Sequence, residues 1–321
     1  MHDISGSNRQ PSSSTGICTL FEGDYHLGLA AFVNSLVGAG YAGTVWAGYR
    51  GALPPWLNQL RRVEAPGEEY MVTEGVRLVF VPLETGIHFA NYKPQFMLDL
   101  FAGRARDCEH LWYFDPDIFL RCCWSHFAKW QRHGIALCEE IVNCNLSESD
   151  PLRFQWMQIG AEMGLGEPRA LNRYFSSGMV GVAAAHADFL DLWKRILDRA
   201  NTLGHDLRFF RAGTREMPFY AGDQDALNMA AMFCKFPLTT MGPEAMGFVP
   251  SGFTMYHAVG QKPWRGSLLK RALAGTPPSV AIKFFFTQAS SPIRAYSRSH
   301  LRIKRLACMA AAFIGRFYRR S

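Results

Sequence analysis

The sequence lacks three features that would assign it to well-known classes of protein. Its eight cysteines form no C-x-x-C pair and no regular framework, which argues against a zinc module or a disulfide scaffold and predicts free thiols in a reducing compartment. The apolar stretch 306–315 has ten residues, whereas a membrane-spanning helix needs roughly 20. Residues 1–15 are polar and serine-rich without an apolar core, so we expect a disordered N-terminus, no signal peptide and a cytoplasmic protein.

Acidic residues are missing from the C-terminal quarter of the chain. The last one is Glu244, and the 77 residues after it hold 13 of the 34 lysines and arginines. The chain therefore divides into a body with a net charge of about −6 and a tail with a net charge of +13. A segment with charge of one sign predicts that the C-terminus meets something anionic.

The composition is that of a folded globular protein, with 321 residues, 48% hydrophobic and 19% charged. Strand and helix patterns alternate along it, which predicts an α/β domain with a mostly parallel sheet flanked by helices. The predicted strands are 17–21, 44–48, 76–82, 111–114, 135–138 and 174–182, and the predicted helices are 27–36, 91–102 and 188–203, with another beginning at 222.

Two carboxylates directly follow the strand 111–114. Pro116 separates Asp115 from Asp117 and cannot donate to a sheet ladder, so the strand ends there. Residues two apart on an extended backbone point the same way, and the carboxyl ends of strands are where open α/β sheets bind ligands. Two hard oxygen donors suit Mg²⁺ or Mn²⁺. A bare Asp-x-Asp is also common as a solvated turn.

Other segments carry weaker signals. Strand 135–138 delivers Glu139 and Glu140 to its end, and Pro94 is placed near a helix start. The stretch 143–171 is too polar for core and is predicted to be an irregular loop or lid. Further along, an acidic cluster opens the helix at Gly222, and an imidazole, a glycine and a lysine follow one another in His257-Ala-Val-Gly-Gln-Lys-Pro-Trp264.

Taken together, these motifs resemble nucleotide-sugar glycosyltransferases of the GT-A fold, and family 8 most of all. The resemblance spans residues 17–265, so we divide the chain into a disordered segment 1–15, a GT-A domain 16–270 and a basic amphipathic segment 271–321. Four blocks stand in the family's order: Thr19-Leu20 leading to Gly23-Asp24-Tyr25; Asp115-Pro116-Asp117; Gly222-Asp223-Gln224-Asp225-Ala-Leu-Asn228; and His257-x-x-Gly260-x-Lys262-Pro263-Trp264.

The resemblance implies a role for each matching position. Asp115, Asp117 and His257 would hold Mn²⁺ or Mg²⁺. The nucleotide-sugar donor, expected to carry UDP, would contact Phe21, Asp24, Tyr25, Lys93, Asp115, Gly260 and Lys262. Gln224 would lie beneath the anomeric carbon and Asp223 would bind sugar hydroxyls, which makes them the candidate catalytic residues. The family retains anomeric configuration, and Gln224 or the carboxylate of Asp223 or Asp225 could stabilise an oxocarbenium-like state.

The acceptor is expected to be a glycan or a lipid-linked glycan. Glu139, Glu140 and His88 are weak candidates for contacting it, together with the 143–171 loop. Ser176-Ser177-Gly178 stands where many family members carry Asn-Ala-Gly, which leaves the choice of sugar open.

Two other functions fit parts of the sequence. Haloacid-dehalogenase-type phosphatases also place Asp-x-Asp after an apolar strand, but their pattern has a small residue where Phe119 stands. A catalytically inactive transferase retained as a membrane-bound scaffold is the other alternative, although all the proposed metal ligands are present.

The tail 279–321 mixes basic residues with short apolar runs. Such a segment suits an anionic membrane surface, at about 1 kcal/mol for each basic residue near the lipid. We therefore expect peripheral attachment to the inner face of the membrane. A helix packed on the domain with a solvated basic face is one alternative, and nucleic-acid binding, which we do not expect, is another.

Overall fold

The computed structural model describes residues 14–142 and 145–317 of the chain. Within these ranges the strands are β1 Thr15–Glu22, β2 Gly43–Arg50, β3 Arg61–Arg62, β4 Glu68–Thr73, β5 Val76–Pro82, β6 His110–Phe114, β7 Ile118–Leu120, β8 Ile135–Glu139, β9 Phe175–Ala183, β10 Leu238–Met241 and β11 Met255–His257. The helices are α1 His26–Gly38, α2 Phe89–Ala102, α3 Trp124–Trp130, α4 Pro151–Glu162, α5 Asp188–Thr202, α6 Gly222–Phe233, α7 Leu268–Leu273, α8 Val280–Gln288 and α9 Arg298–Ile314.

Nine strands form one sheet in the order β10-β8-β9-β6-β1-β2-β5-β4-β3. The pairings make seven of these strands run in one direction, while β4 and β9 run against them. The predicted mostly parallel sheet flanked by helices is confirmed. The remaining strands, β7 and β11, form a separate antiparallel pair.

Side chains of the central strands alternate between two hydrophobic cores, one on each face of the sheet. On β6, Trp112 and Phe114 belong to the core shared with α1 and α3, whereas Leu111 and Tyr113 belong to the core shared with α2, α5 and α6. Because successive residues of a strand point to opposite faces, an uninterrupted apolar run fits a strand that is covered on both sides. The chain therefore folds into three layers, with the sheet in the middle.

Part of the 143–171 segment is helical, so the prediction of an irregular loop is wrong there. Asp150 caps α4 by accepting from the N–H of Leu152 at 2.9 Å, and Pro151 occupies the first turn. Trp156 and Arg153 are fully buried on this helix. The guanidinium of Arg153 donates to backbone carbonyls, and these bonds allow a charged residue to lie in the core.

Two smaller predictions also need correction. The second helix begins at Phe89, because the side chain of His88 caps it by accepting from the N–H of Ala90. Pro94 consequently lies inside the helix rather than at its start. The predicted disordered segment 1–15 falls outside the described residues except for Ser14 and Thr15, and Thr15 already belongs to β1.

The C-terminal helices pack on the same core as the rest of the chain. On α8, Ile282, Phe285 and Phe286 are buried, and the Phe285 ring lies 5.6 Å from that of Phe119 on β7. Asn34 of α1 donates to the carbonyl of Gln288, the last residue of α8, and to the carbonyl of Ile293. It also accepts from the N–H of Ile293 at 2.8 Å. Residues on both sides of the predicted boundary at 270 thus share one hydrophobic core.

Candidate active site

The predicted site residues gather around one cleft at the carboxyl ends of the central strands. β1 and β6 are neighbouring parallel strands, so residues at the end of each reach the same edge of the sheet. The cleft has a volume of about 550 Å³. Twelve of the fourteen predicted residues line it, namely Phe21, Tyr25, His88, Lys93, Asp115, Asp117, Glu140, Asp223, Gln224, His257, Gly260 and Lys262.

Asp115, Asp117 and His257 meet because of the small antiparallel sheet. β7 follows Asp117 directly, β11 ends at His257, and Ile118 lies opposite His257 in the register. The N–H of Ala258 also donates to the carbonyl of Asp117 at 3.0 Å. As a result His257 Nε2 lies 3.3 Å from Asp117 Oδ1 and 3.8 Å from Asp115 Oδ2.

Gly178 on β9 provides the space in which these side chains approach each other. Its carbonyl accepts from the N–H of Asp115 at 2.7 Å. A Cβ at this position would lie 2.8 Å from His257 Cε1 and 3.0 Å from Asp115 Oδ2. Any larger residue would therefore displace a side chain of the triad.

The triad has the geometry and the chemistry of a divalent metal site. One ligand-type atom from each residue lies within 4.8 Å of the others, and ligand atoms around one octahedral ion are roughly 3 to 4 Å apart. Two carboxylates and one imidazole suit Mn²⁺ or Mg²⁺ better than a soft metal. Among the described residues, this is the group of His, Cys, Asp or Glu side chains that meets these distances.

Lys262 gives the triad a fixed positive charge. Its ammonium forms an ion pair with Asp117 Oδ2 and donates to the carbonyl of Ala258 at 3.0 Å. Burial alone would raise the pKa of Asp117, but His257 and Lys262 more than offset it and hold that pKa below its usual range. Asp117 is thus a buried carboxylate that stays ionised.

Lys93 lies at the centre of a buried polar network beside the triad. Its ammonium lies 3.2 Å from Asp115 Oδ1 and 2.9 Å from Asp223 Oδ2, and it donates to the carbonyl of Ser177 at 3.1 Å. Burial lowers the pKa of Lys93, but the two carboxylates outweigh it and raise the pKa overall. Lys93 therefore remains charged and links a candidate metal ligand to Asp223, one of the candidate catalytic residues.

Gln224, the other candidate catalytic residue, is held at both ends of its amide. Nε2 donates to Glu140 Oε2 at 3.0 Å, and Oε1 accepts from the N–H of Ser177 at 3.3 Å. Asp225, by contrast, does not line the cleft. Its carboxylate turns away to accept from the hydroxyl of Tyr174 at 2.7 Å, so it is a structural residue.

An aromatic ring lies beside Lys262, because the Tyr25 ring is 5.7 Å from its ammonium. The ring of Tyr25 lies 5.4 Å from that of Trp264, and the guanidinium of Arg265 lies 5.0 Å from the Tyr25 ring. Arg265 also binds Asp24 through two hydrogen bonds of 2.7 and 2.5 Å, which hold the pKa of Asp24 below its usual range. Asp24 is one of the two predicted residues that do not line the cleft, whereas its partner Arg265 does.

The residues predicted for acceptor contact separate in space. Glu140 and His88 line the cleft, whereas Glu139 does not and instead pairs with Arg173 at 2.6 Å. Adjacent strand residues point to opposite faces, so only one of two neighbouring glutamates can face the cleft. Sequence reasoning missed several other lining residues, namely Glu22, Tyr113, Phe210, Arg211, Phe248 and Arg265. Of these, only Arg265 carries a local signal, because it directly follows the closing motif.

Asp225 gives the fold an expected pH dependence. Burial raises its pKa to about 7, although hydrogen bonds from Tyr174 and Ala221 oppose the shift. The folded chain therefore keeps a proton that the unfolded chain loses near the ordinary pKa of about 3.9. This contribution to stability is complete below about pH 4 and is lost as the pH rises towards 7, at up to about 1.4 kcal/mol per pH unit.

Asp225→Asn should remove this pH-dependent contribution to stability. Urea unfolding at pH 5, 6, 7 and 8 would measure the change. We expect the variant to gain free energy of unfolding relative to the wild type as the pH rises. A difference between the two proteins that stays constant over this range would contradict the assignment.

No family model matches the chain, and no curated protein does. Its fold is similar to that of solved glycosyltransferases. One is the apo structure of the bifunctional glycosyltransferase WbbM, with 12% identity and a TM-score of 0.55 over 92% of this chain and 52% of that one. Another is GlyE of Streptococcus pneumoniae TIGR4, with 12% identity and a TM-score of 0.52 over 94% of this chain and 64% of that one. The chain spans less than two thirds of either protein, and the likeness concerns the fold.

Proposed function

We propose that the protein is a metal-dependent glycosyltransferase that moves a sugar from a nucleotide diphosphate donor to a glycan or lipid-linked glycan. The observation that carries the proposal is the convergence of Asp115, Asp117 and His257 at the carboxyl edge of the sheet, in a fold similar to that of glycosyltransferases. Membership of family 8, UDP as the nucleotide and retention of configuration are part of the same proposal and rest on the sequence motifs.

The residues of the cleft are proposed to have two roles, binding of the nucleotide diphosphate and binding of the sugar. Asp115, Asp117 and His257 would hold Mn²⁺ or Mg²⁺, which supplies Lewis-acid stabilisation to a diphosphate leaving group. Lys262 adds a cation on the same side, and Gly260 has a backbone φ of +74° with open space around it, which suits close approach of a phosphate. Tyr25 offers an aromatic ring to the nucleotide base.

On the side of the triad where Lys93 lies, Asp223 and Gln224 face the position proposed for the sugar. Asp223 is buried and already bound to Lys93, so the hydrogen-bond network, and not solvent, sets the direction of its remaining lone pairs. The amide oxygen of Gln224 is suited to stabilise positive charge at an anomeric carbon without forming a bond to it. The acceptor hydroxyl can lose its proton to the departing phosphate, so the proposal needs no base from the protein.

A thermal-shift screen of nucleotide sugars with Mn²⁺ tests the proposal. A donor bound at 100 times its Kd stabilises the folded state by about 2.7 kcal/mol, and we expect one class of nucleotide sugar to raise the Tm only when Mn²⁺ is present. Slow Mn²⁺-dependent hydrolysis of that donor should accompany binding. Binding without hydrolysis or transfer would favour the inactive scaffold instead, and Mg²⁺-dependent release of phosphate from phosphomonoesters would favour a phosphatase.

We further propose that α9 attaches the enzyme to an anionic membrane. In the part of the chain that the structure describes, no helix is long and apolar enough to cross a bilayer. One face of α9 and of the turn after it nevertheless exposes large apolar side chains, and the flanking Arg302 and Arg316 are exposed too. The apolar side chains are Ile303, Leu306, Met309, Phe313 and Phe317, with exposed fractions of 64%, 56%, 68%, 58% and 75%.

Because α8 is packed in the hydrophobic core, the membrane proposal cannot be tested by deleting the tail. Deleting 279–321 would remove part of the hydrophobic core, so the surface needs a subtler test. The double variant Leu306→Ser/Phe313→Ser should reduce flotation with phosphatidylglycerol vesicles at least about tenfold, because each buried side chain of this size contributes about 1.5–3 kcal/mol.

The matched control is Phe154→Ser/Phe253→Ser, which changes residues with exposed fractions of 56% and 55% elsewhere on the surface. It should float like the wild type, and binding of the wild type should weaken at high salt. Equal flotation of both double variants would contradict the membrane surface. A change in oligomeric state in place of lost flotation would instead show that the face binds a second copy of the chain.

A further inference from the structure

Glu140 is a buried carboxylate at the edge of the proposed sugar subsite. It follows β8 directly, is 2% exposed and lines the cleft. Oε1 accepts a hydrogen bond from the N–H of Val142, and Oε2 accepts one from Gln224 Nε2 at 3.0 Å. Both oxygens are thus bound to the protein, which is a poor arrangement for a carboxylate that mainly recognises an acceptor.

The partners of Gln224 admit only one orientation of its amide. An ionised carboxylate only accepts hydrogen bonds and a backbone N–H only donates them. Gln224 lies between Glu140 on one side and the N–H of Ser177 on the other. Turning the amide by 180° would place oxygen against oxygen at Glu140 and N–H against N–H at Ser177, so the alternative is excluded by chemistry.

The same contacts connect Gln224 to the candidate metal ligands. The hydroxyl of Ser177 donates to Asp223 Oδ2 at 2.5 Å, and Lys93 bridges Asp223 and Asp115 at 2.9 and 3.2 Å. Buried hydrogen bonds in a chain polarise one another. A carboxylate that accepts from the amide N–H increases the negative charge on the amide oxygen, which is the atom suited to face a positively charged anomeric carbon.

We infer that Glu140 is a positioning residue that fixes the orientation of the Gln224 amide and polarises it towards a glycosyl group in transfer. This inference rests on the proposed function and deepens it. It differs from the acceptor contact that the sequence predicts for Glu140, because Glu140 acts through Gln224 and need not touch the acceptor.

Glu140→Gln tests the inference, because a second amide at this position can pair with Gln224 in either orientation. We expect kcat for donor hydrolysis and for transfer to fall about 10- to 100-fold, while the KM for the donor, the Kd for Mn²⁺ and the Tm stay close to wild type. The double variant Glu140→Gln/Gln224→Glu exchanges the two groups and restores one hydrogen-bonding pattern. It should be at least tenfold more active than Gln224→Glu alone, which places two carboxylates side by side.

The matched control is Glu162→Gln, which removes the charge of an exposed glutamate paired with Arg199 and should leave every parameter unchanged. Wild-type kcat in Glu140→Gln would overturn the inference and leave the proposed function standing. A fall in kcat that parallels a loss of Tm or of Mn²⁺ affinity would also overturn it, since the role would then be structural. If the wild type hydrolyses and transfers no nucleotide sugar with Mn²⁺, the proposed function fails and the inference fails with it.

Discussion

Asp117→Asn is expected to lower the rates of the proposed sugar transfer and donor hydrolysis by about a thousandfold or more. Asp117 is 2% exposed and faces both His257 and Lys262, so it contributes a fixed negative charge where the proposed metal would bind. Losing a metal ligand removes several kcal/mol of stabilisation of the leaving group. Asparagine keeps the shape of the side chain and an oxygen that can accept from Lys262, so we expect the variant to fold.

Three measurements separate this effect from misfolding: kcat, Mn²⁺ affinity by calorimetry, and the circular dichroism spectrum. Mn²⁺ affinity should fall in parallel with kcat while the spectrum stays unchanged. Asp99→Asn is the control. Asp99 is an exposed carboxylate on α2 that accepts hydrogen bonds from Tyr92 and Gln95 of the same helix. Activity of Asp117→Asn near that of the wild type would refute the metal assignment.

Lys93→Met is expected to lower the free energy of unfolding by about 3–5 kcal/mol, as when one partner of a buried ion pair is removed. Lys93 is 3% exposed and Asp223 is 2% exposed. Without the ammonium, the carboxylates of Asp223 and Asp115 would both lose the cation that they contact. Methionine fills a similar volume, so the loss should come from the uncompensated carboxylates rather than from a cavity.

Lys194→Met is the matched control for this prediction. Lys194 pairs with Asp198 one helical turn away at 2.9 Å, on the exposed face of α5. Such a surface pair contributes about 0.3–0.5 kcal/mol, so urea unfolding should barely distinguish this variant from the wild type. The double variant Lys93→Met/Asp223→Asn should recover part of the stability lost in Lys93→Met. Equal losses in Lys93→Met and Lys194→Met would show that the buried network is not a stabilising centre.

The six strands and four helices predicted from the sequence are all present in the structure, because their signals are local, whereas the strands β3, β4, β7, β10 and β11 were not predicted. The bounds predicted for the strand 76–82 coincide with those of β5, and the helix predicted over 188–203 corresponds to α5. The α4 helix was missed because the segment 143–171 contains three glycines and two prolines, and because the buried Arg153 counts as polar in any composition argument. The carbonyls that bind Arg153 become neighbours only in the folded chain.

The burial of side chains in the C-terminal tail could not be predicted from the sequence either. Basic residues and short apolar runs occur in both α8 and α9, and sequence reasoning treated them as one segment. The structure buries Phe285 of α8 against Phe119 and Trp264, whereas Phe313 of α9 is exposed. Both helices contribute to the core, α9 through Leu301, Cys308 and Ala311. Which apolar side chains of each helix are buried depends on the shape of the surface beneath it, and that surface is formed by distant parts of the chain.

The sequence by itself determined the central strands, four of the helices, the charge of the tail and the identity of the acidic and imidazole groups, because each depends on residues close together in the chain. Tertiary structure alone decided how these groups are arranged. The ladder between β7 and β11 brings His257 to Asp117, and the packing of α6 against β9 brings Gln224 to Ser177. Strand register and helix packing are set by long-range complementarity, which a local pattern of residues does not encode.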